Sequence, residues 1–358
     1  MKSPSALCVA AAVGAAAAAI AAKIWYSRRL DILAGDLADA VDRRNRLALE
    51  LMSSRNRRMH TAESVERGRT FKPRRSDVFV VTYPKCGTTW MTQIVHALRA
   101  NANMSFGDIN EVCPWDILAH DCKQDLDADQ GYTEPESGQF VVCEPRCFKS
   151  HEAWDDVAKG GRYIYVARDP ADAFFSFFKF LPSFAGLRQG DLDAETFAAS
   201  IFAGVSHSGQ IWDHFLGWWR QRHNPDVLWI FFEDLANDLR GEVARVADFL
   251  GIPADNRLLD RVVKVSSFES MASSANRHHY DDHMLKAHIY PVMGIDPLTT
   301  QEVIKVRAGG GKVGSRRQLP PALAARLEAK WEAVMRTATG CDSYASFRAN
   351  SFSGATKR

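Results

Sequence analysis

The chain carries almost no net charge. Lys plus Arg number 45 and Asp plus Glu 43, a formal +2 at pH 7, too small an excess to argue for nucleic acid as a partner. It also lacks a cysteine framework. Seven Cys are scattered through 358 residues with no CxxC pair, which suits free thiols in a reducing compartment better than a disulfide scaffold. No Leu-rich apolar run is present, no internal repeat stands out, and there is no Walker-type GxxxxGK[ST] string. What remains is a composition 46% hydrophobic and 25% charged, that of a globular protein with a sizeable core.

The first segment differs from the rest. Ala6 to Ala22 is uncharged but mostly Ala, near the lower edge of the roughly 17–25 residues that span a bilayer and far less apolar than Leu. Ile24, Trp25 and Tyr26 add an interfacial anchor beyond Lys23. Three readings of residues 1–26 stay open: a membrane anchor, a cleaved targeting segment and a soluble Ala-rich helix. One Lys precedes the stretch while Lys23, Arg28 and Arg29 follow it, which favours a cytoplasmic C-terminal bulk. An acid-poor, Arg-bearing start also fits organelle targeting.

Residues 27–76 read as an amphipathic helix and a basic linker. Leu30, Leu33, Leu37, Ala40, Leu47 and Leu51 keep a 3-4 spacing interrupted by Arg44, either a short coiled-coil stalk or a face packed on the chain's own body. Arg55, Arg57, Arg58, Arg67, Arg69, Lys72, Arg74 and Arg75 follow as a linker or membrane-facing collar. From Asp77 the pattern becomes α/β. Apolar runs at Val78–Tyr83, Phe140–Cys143, Tyr163–Ala167 and Val227–Phe232 read as strands buried on both faces of a parallel sheet. Helical stretches at Ala171–Phe180, Ile211–Gln221, Glu242–Leu250 and Leu323–Met335 lie between and after them, with helices expected on both faces. Ser274 to Gly314, rich in His, Gly and Pro, reads as a long irregular loop. Residues 77–350 form one α/β domain in this division and 351–358 a tail.

The densest chemistry lies in Thr82-Tyr83-Pro84-Lys85-Cys86-Gly87-Thr88-Thr89-Trp90. A strand, a Gly-containing turn and a helix in that order make a phosphate cradle, because the first N–H groups of a helix have no internal partner and its dipole is positive there. Lys85, Thr88 and Thr89 complete an anion site. Lys stands two residues before the Gly, not after it, which excludes the Walker pattern. The string resembles the 5′-phosphosulfate loop of sulfotransferases that use 3′-phosphoadenosine 5′-phosphosulfate (PAPS).

Four further segments are similar to that family, over roughly Asp77 to Arg348. Arg146-Cys147-Phe148-Lys149-Ser150-His151 resembles its KxH segment, implying His151 as general base, with Lys149 and Lys85 on the transferring group. Arg168-Asp169-Pro170 with Ser176 resembles its 3′-phosphate clamp. Ser266-Ser267-Phe268 with Met271 resembles its adenine contact, implying Phe268 and Trp90 on opposite faces of the base. Arg307-Ala308-Gly309 resembles its closing RKG, with Ala in place of Lys and Lys312 nearby. Cys86 stands where the family has a small residue, and Phe232 replaces a Tyr of its YEDL, losing one hydroxyl. Trp115 and Phe180 fall where the family places acceptor-facing aromatics, though both are equally readable as core.

The resemblance implies a three-layer P-loop-like fold, in-line sulfuryl transfer from PAPS to a hydroxyl or amine of a small acceptor, release of 3′-phosphoadenosine 5′-phosphate (PAP), and no metal. The family's dimer motif is not evident between Gly314 and Arg326, which leaves at most a weak homodimer. His278, His279, Asp281, Asp282, His283 and His288 invite a metal reading, but their spacing fits no standard zinc pattern; these His residues read instead as acceptor contacts. Two other functions compete: a P-loop-type nucleotide kinase, and an inactive nucleotide-binding scaffold.

Overall fold

A computed structural model describes residues 4–204, 207–296, 303–306 and 313–350. Its helices and strands run α1 Pro4–Arg57, α2 Ala62–Thr70, β1 Val78–Thr82, α3 Thr88–Arg99, α4 Ile109–Val112, β2 Gly131–Thr133, β3 Phe140–Val142, β4 Cys147–Ser150, β5 Arg162–Ala167, α5 Pro170–Phe184, α6 Ala194–Phe202, α7 Ile211–Trp219, β6 Val227–Phe231, α8 Phe232–Asn237, α9 Leu239–Leu250, α10 Asn256–Ser266, α11 Phe268–Ala272, α12 His283–Met293 and α13 Pro321–Lys330. The main sheet is parallel throughout, in the order β4-β1-β5-β6.

The strands alternate between two cores. Phe79, Val81, Phe148, Tyr163, Tyr165, Trp229 and Phe231 face a largely aromatic core with α5, α6 and α7. Val78, Val80, Cys147, Ile164, Val166 and Ile230 face an aliphatic one with α3, α9 and α10. Side chains alternate with period two, so a strand with both faces covered reads as an unbroken apolar run. The same geometry sends β1 to β4 on one side and to β5 on the other. The crevice where the loops after β1, β4 and β5 part is where a doubly wound sheet binds its ligand.

Two expectations fail. Phe140–Cys143 does not enter this sheet. Phe140 to Val142 pairs antiparallel with β2, and Phe140 and Val142 are about half exposed; the fourth main strand is Cys147–Ser150. An apolar triplet records nothing about what covers it. The segment Ser274–Gly314 is not a plain loop either. Arg277–Tyr280 is a 3-10 turn, and α12 buries Leu285, Ile289 and Met293 at helical spacing, a stripe hidden among His and Pro.

Helix α1 is continuous from the apolar start to Arg57. Val9, Ile20, Trp25, Leu30, Leu33, Leu37, Leu47 and Leu51 are exposed, whereas Asn45, Ala48 and Met52 are buried against the body. Among the described residues this is the helix long and apolar enough to cross a membrane. The basic stretch after it is folded onto the body. Arg55 Nη1 donates to Ala185 O at 2.8 Å, Arg69 Nε to Glu152 Oε2 at 2.6 Å, and Arg74 pairs with Asp129.

Candidate active site

The turn after β1 is built to present backbone N–H groups. Lys85 has φ 70° and Gly87 φ 112°, the left-handed region that glycine tolerates best. Gly87 is the N-cap of α3 and offers no side chain to its first N–H groups. Helix α5, by contrast, is capped by Asp169, whose carboxylate accepts from Ala171 N and Asp172 N, with Pro170 at its first position. The RDP triplet is therefore a helix start. Asp172 accepts from the N–H groups of Gly314 and Arg316, and Asp169 pairs with Arg316. Arg168 Nη1 donates to Lys85 O at 3.0 Å, and its guanidinium lies 4.2 Å from the Phe232 ring centre.

These elements line one cavity of about 200 Å³. Of the residues singled out in the sequence, Lys85, Gly87, Thr88, Thr89, Trp90, Trp115, Lys149, His151, Arg168, Ser176, Phe180, Phe232, Phe268 and Met271 all face it. Trp90 Nε1 donates to Ser266 O at 2.7 Å, which ties the adenine-type aromatic to the start of the Phe268 segment. Cys86 and Ser266 are buried, and the Ser266 hydroxyl has no partner among the described residues. Arg307, Ala308 and Gly309 lie outside the described residues.

His151 closes the β4 end of the cavity. Its Nδ1 lies 2.8 Å from Thr82 O. A carbonyl only accepts, so Nδ1 carries the hydrogen and Nε2 keeps its lone pair. Burial first, then the Lys149 ammonium, hold this imidazole well below its ordinary value. Trp115 meets the His151 ring edge-on at 4.9 Å and lies 3.7 Å from Lys149 Nζ. Burial first, then Lys305, push Lys149 down to about 7. Lys85 Nζ sits 3.7 Å from the Phe180 ring centre, so both Lys cations rest on aromatic faces.

Several contacts at the site were not assigned from the sequence. Thr82 Oγ1 pairs with Thr88 Oγ1 at 2.6 Å, linking the cradle to the His151 anchor. His214, from the aromatic α7, bonds Tyr165 OH at 2.8 Å and approaches His151 O at 3.3 Å. Glu152 pairs with Arg69 and His207. Asn56 and Met59 bring the end of α1 and the turn after it to the cavity wall.

The His-Asp run disperses. His283 Nε2 lies near Gly107 O, His288 bonds Met284 O, and Asp282 pairs with Lys305. Among the described residues no three His, Cys, Asp or Glu side chains converge. Of this run Asp282 lines the cavity; its His residues do not.

The chain is similar to several known proteins. A family model described as "Sulfotransferase domain" matches residues 75–291. Bovine "Sulfotransferase 1E1" is 28% identical over 234 residues, covering 62% of this chain and 76% of that protein. Rat "Sulfotransferase 1C2" is 29% identical over 243 residues, covering 65% and 79%. In fold, the crystal structure of mouse sulfotransferase SULT7A1 complexed with PAP superposes with a TM-score of 0.55 at 18% identity, over 81% of this chain and 95% of that one.

Proposed function

The chain belongs to the sulfotransferase family, and on that premise we propose that it moves the sulfuryl group of PAPS to a hydroxyl or amine of a small, largely apolar acceptor. The observation that carries this is one cavity holding both the uncapped N-terminus of α3 and a neutral His151 with its Nδ1 fixed on Thr82 O.

The residues fit the donor. Gly87 opens the backbone toward a phosphate, Arg168 and Ser176 line the same cavity, and the Ser266 hydroxyl, without a partner among the described residues, belongs to the segment that Trp90 bonds. PAPS, when bound, supplies a sulfuryl group on a phosphate leaving group. His151 Nε2 takes the acceptor's proton as attack occurs. Lys85, Thr88, Thr89 and the α3 N-terminus meet the charge that grows on the phosphate, while Lys149 meets the sulfonate oxygens. Trp90, Phe268 and Met271 hold the base, and Phe232 backs the Arg168 guanidinium where the family has Tyr. The acceptor side carries Ile117, Phe177, Phe180, Leu181, Phe184 and Leu285 around Trp115, which favours an apolar molecule with one reactive polar atom.

The exposed apolar start of α1, with more Lys and Arg after it than before, supports a membrane-anchored enzyme with a cytoplasmic catalytic body. Resistance to carbonate extraction, lost on deleting residues 1–26, tests this. The catalytic test uses the full chain in detergent with radiolabelled PAPS and a pooled panel of phenols, alcohols and amines. His151→Ala lowers transfer by roughly 10²–10⁴-fold and leaves PAP affinity within about twofold of the parent. Equal loss of transfer and PAP binding refutes the base role. Metal-dependent transfer from ATP in place of PAPS refutes the reaction itself.

A further inference from the structure

The wall of the same cavity carries a largely buried ion pair. Lys305 Nζ lies 2.6 Å from Asp282 Oδ1 and 2.8 Å from Oδ2. Their side chains are 12% and 5% exposed, yet both line the cavity with Lys149 and His151. The pair is held from behind. Asn110 Nδ2 donates to Asp282 Oδ1 at 2.9 Å and to Asp108 Oδ1 at 2.7 Å, and Asp108 Oδ2 accepts from Met284 N. Asp282 has φ 55°, a strained backbone that a structure retains when its surroundings over-determine it. An ion pair this dry is costly as a mere strut.

We propose that the Lys305–Asp282 ion pair is a positioning element of the transfer site that acts through Lys149, deciding over which pH range Lys149 carries its proton. This takes from the function proposed above only the role of the Lys149 cation. The Trp115 ring lies 3.7 Å from that ammonium, and the charges that act on it are Lys305, Asp282 at the start of α12, Asp108 before α4 and Asp116 after Trp115. His151, two residues along the chain, is uncharged. Burial and Lys305 disfavour the Lys149 charge; Asp282, Asp108 and Asp116 favour it. Asp116 is itself pushed up to about 8 by burial and by Glu152, so it contributes little charge at neutral pH. Burial and Asp108 are common to every variant of the pair, so what the pair adds is the difference between its two members, whose effects on Lys149 are opposite in sign. Lys305 removed alone leaves Asp282 bare beside Lys149. Asp282 removed alone leaves a second ammonium there.

The direct test is competitive acetylation of the full chain with acetic anhydride from pH 5 to 10, reading the Lys149 peptide by mass spectrometry. This readout needs neither donor nor acceptor. The parent gives a midpoint near neutrality. Lys305→Met moves it up by about one pH unit and Asp282→Asn moves it down by about as much. Lys305→Arg, which keeps the charge, leaves it in place, and the K305M/D282N double variant returns toward the parent. The alkaline limb of kcat/KM for PAPS turnover follows the same order, since activity is lost as Lys149 deprotonates. Single variants that shift the midpoint in the same direction, or not at all, overturn the proposal. A chain that labels in the expected order but transfers no sulfuryl group overturns the sulfotransferase function and supports the hold of the pair on Lys149.

Discussion

Gly87 is the position where the donor cradle is most sensitive to one added carbon. Its φ of 112° is strained for any side chain, and a Cβ there lies 2.9 Å from Phe232 Cδ2 and 3.6 Å from Val166 Cγ1. The Phe232 ring has little room to yield: it is 4% exposed, with the Arg168 guanidinium 4.2 Å away and the Trp90 ring at 5.5 Å. Backbone strain of this kind costs about 1–3 kcal/mol, and the contact adds about 1 kcal/mol more. Gly138 is the control. Its φ is 68° and a Cβ there meets nothing within 4 Å, so Gly138→Ala loses only about 1 kcal/mol. Gly87→Ala should therefore destabilise the chain by about 2–4 kcal/mol in urea unfolding. It should also weaken PAP binding by titration calorimetry at least tenfold, while Gly138→Ala leaves binding unchanged. Adding Phe232→Ala to Gly87→Ala should recover part of the binding by removing the collision. Gly87→Ala within 0.5 kcal/mol of the parent, with unaltered PAP affinity, would refute the account of this turn.

Arg146 and Asp77 form a buried pair at 2.6 Å, with side chains 1% and 0% exposed. Arg146→Met strands the carboxylate and should cost about 3–5 kcal/mol, and a second change Asp77→Asn should restore much of it in the same unfolding assay. His214 is held down to about 4 by burial, against about 6.5 in the unfolded chain. The unfolded state thus binds the proton first as pH falls below about 6.5. Stability is full above that pH and is lost between about 6.5 and 4, by about 2 kcal/mol from pH 7 to pH 5. His214→Gln should flatten that part of the stability–pH curve, and an unchanged slope refutes the assignment. A chain beginning at Ser27 should fold and bind PAP as the parent does. One beginning at Thr70 loses Ala48, Met52, Asn56, Met59 and Arg69 from core and cavity and should lose about 3 kcal/mol or more of stability, measured by urea midpoint.

Much of the site was legible because its chemistry is local. Lys85 to Trp90, Lys149 with His151, and Arg168 with Ser176 each sit within one turn, one strand end or one helix start, so spacing along the chain maps onto spacing in the cavity. The doubly covered strands were legible for a similar reason, since burial on both faces leaves an unbroken apolar run. Contacts between distant segments left no such trace. Asp282 stood out only as part of a His-rich run, and nothing ties it in sequence to Lys305. His214 hides in an aromatic helix. Phe140–Val142 looked like β1 in composition, and only its partner strand shows that it is a surface hairpin. Asn56 and Met59 reach the cavity because α1 turns one face to the body, which a heptad pattern on its other face obscures.

Because α1 is unbroken from its apolar start to the cavity wall, it works as a strut of set length. From Tyr26 to Asn56 a straight helix measures about 45 Å. On the anchored reading proposed above, that length sets how far from the membrane the cavity wall can stand. A flexible leash would let the enzyme sweep a volume; a rod restricts it to molecules that arrive at that level.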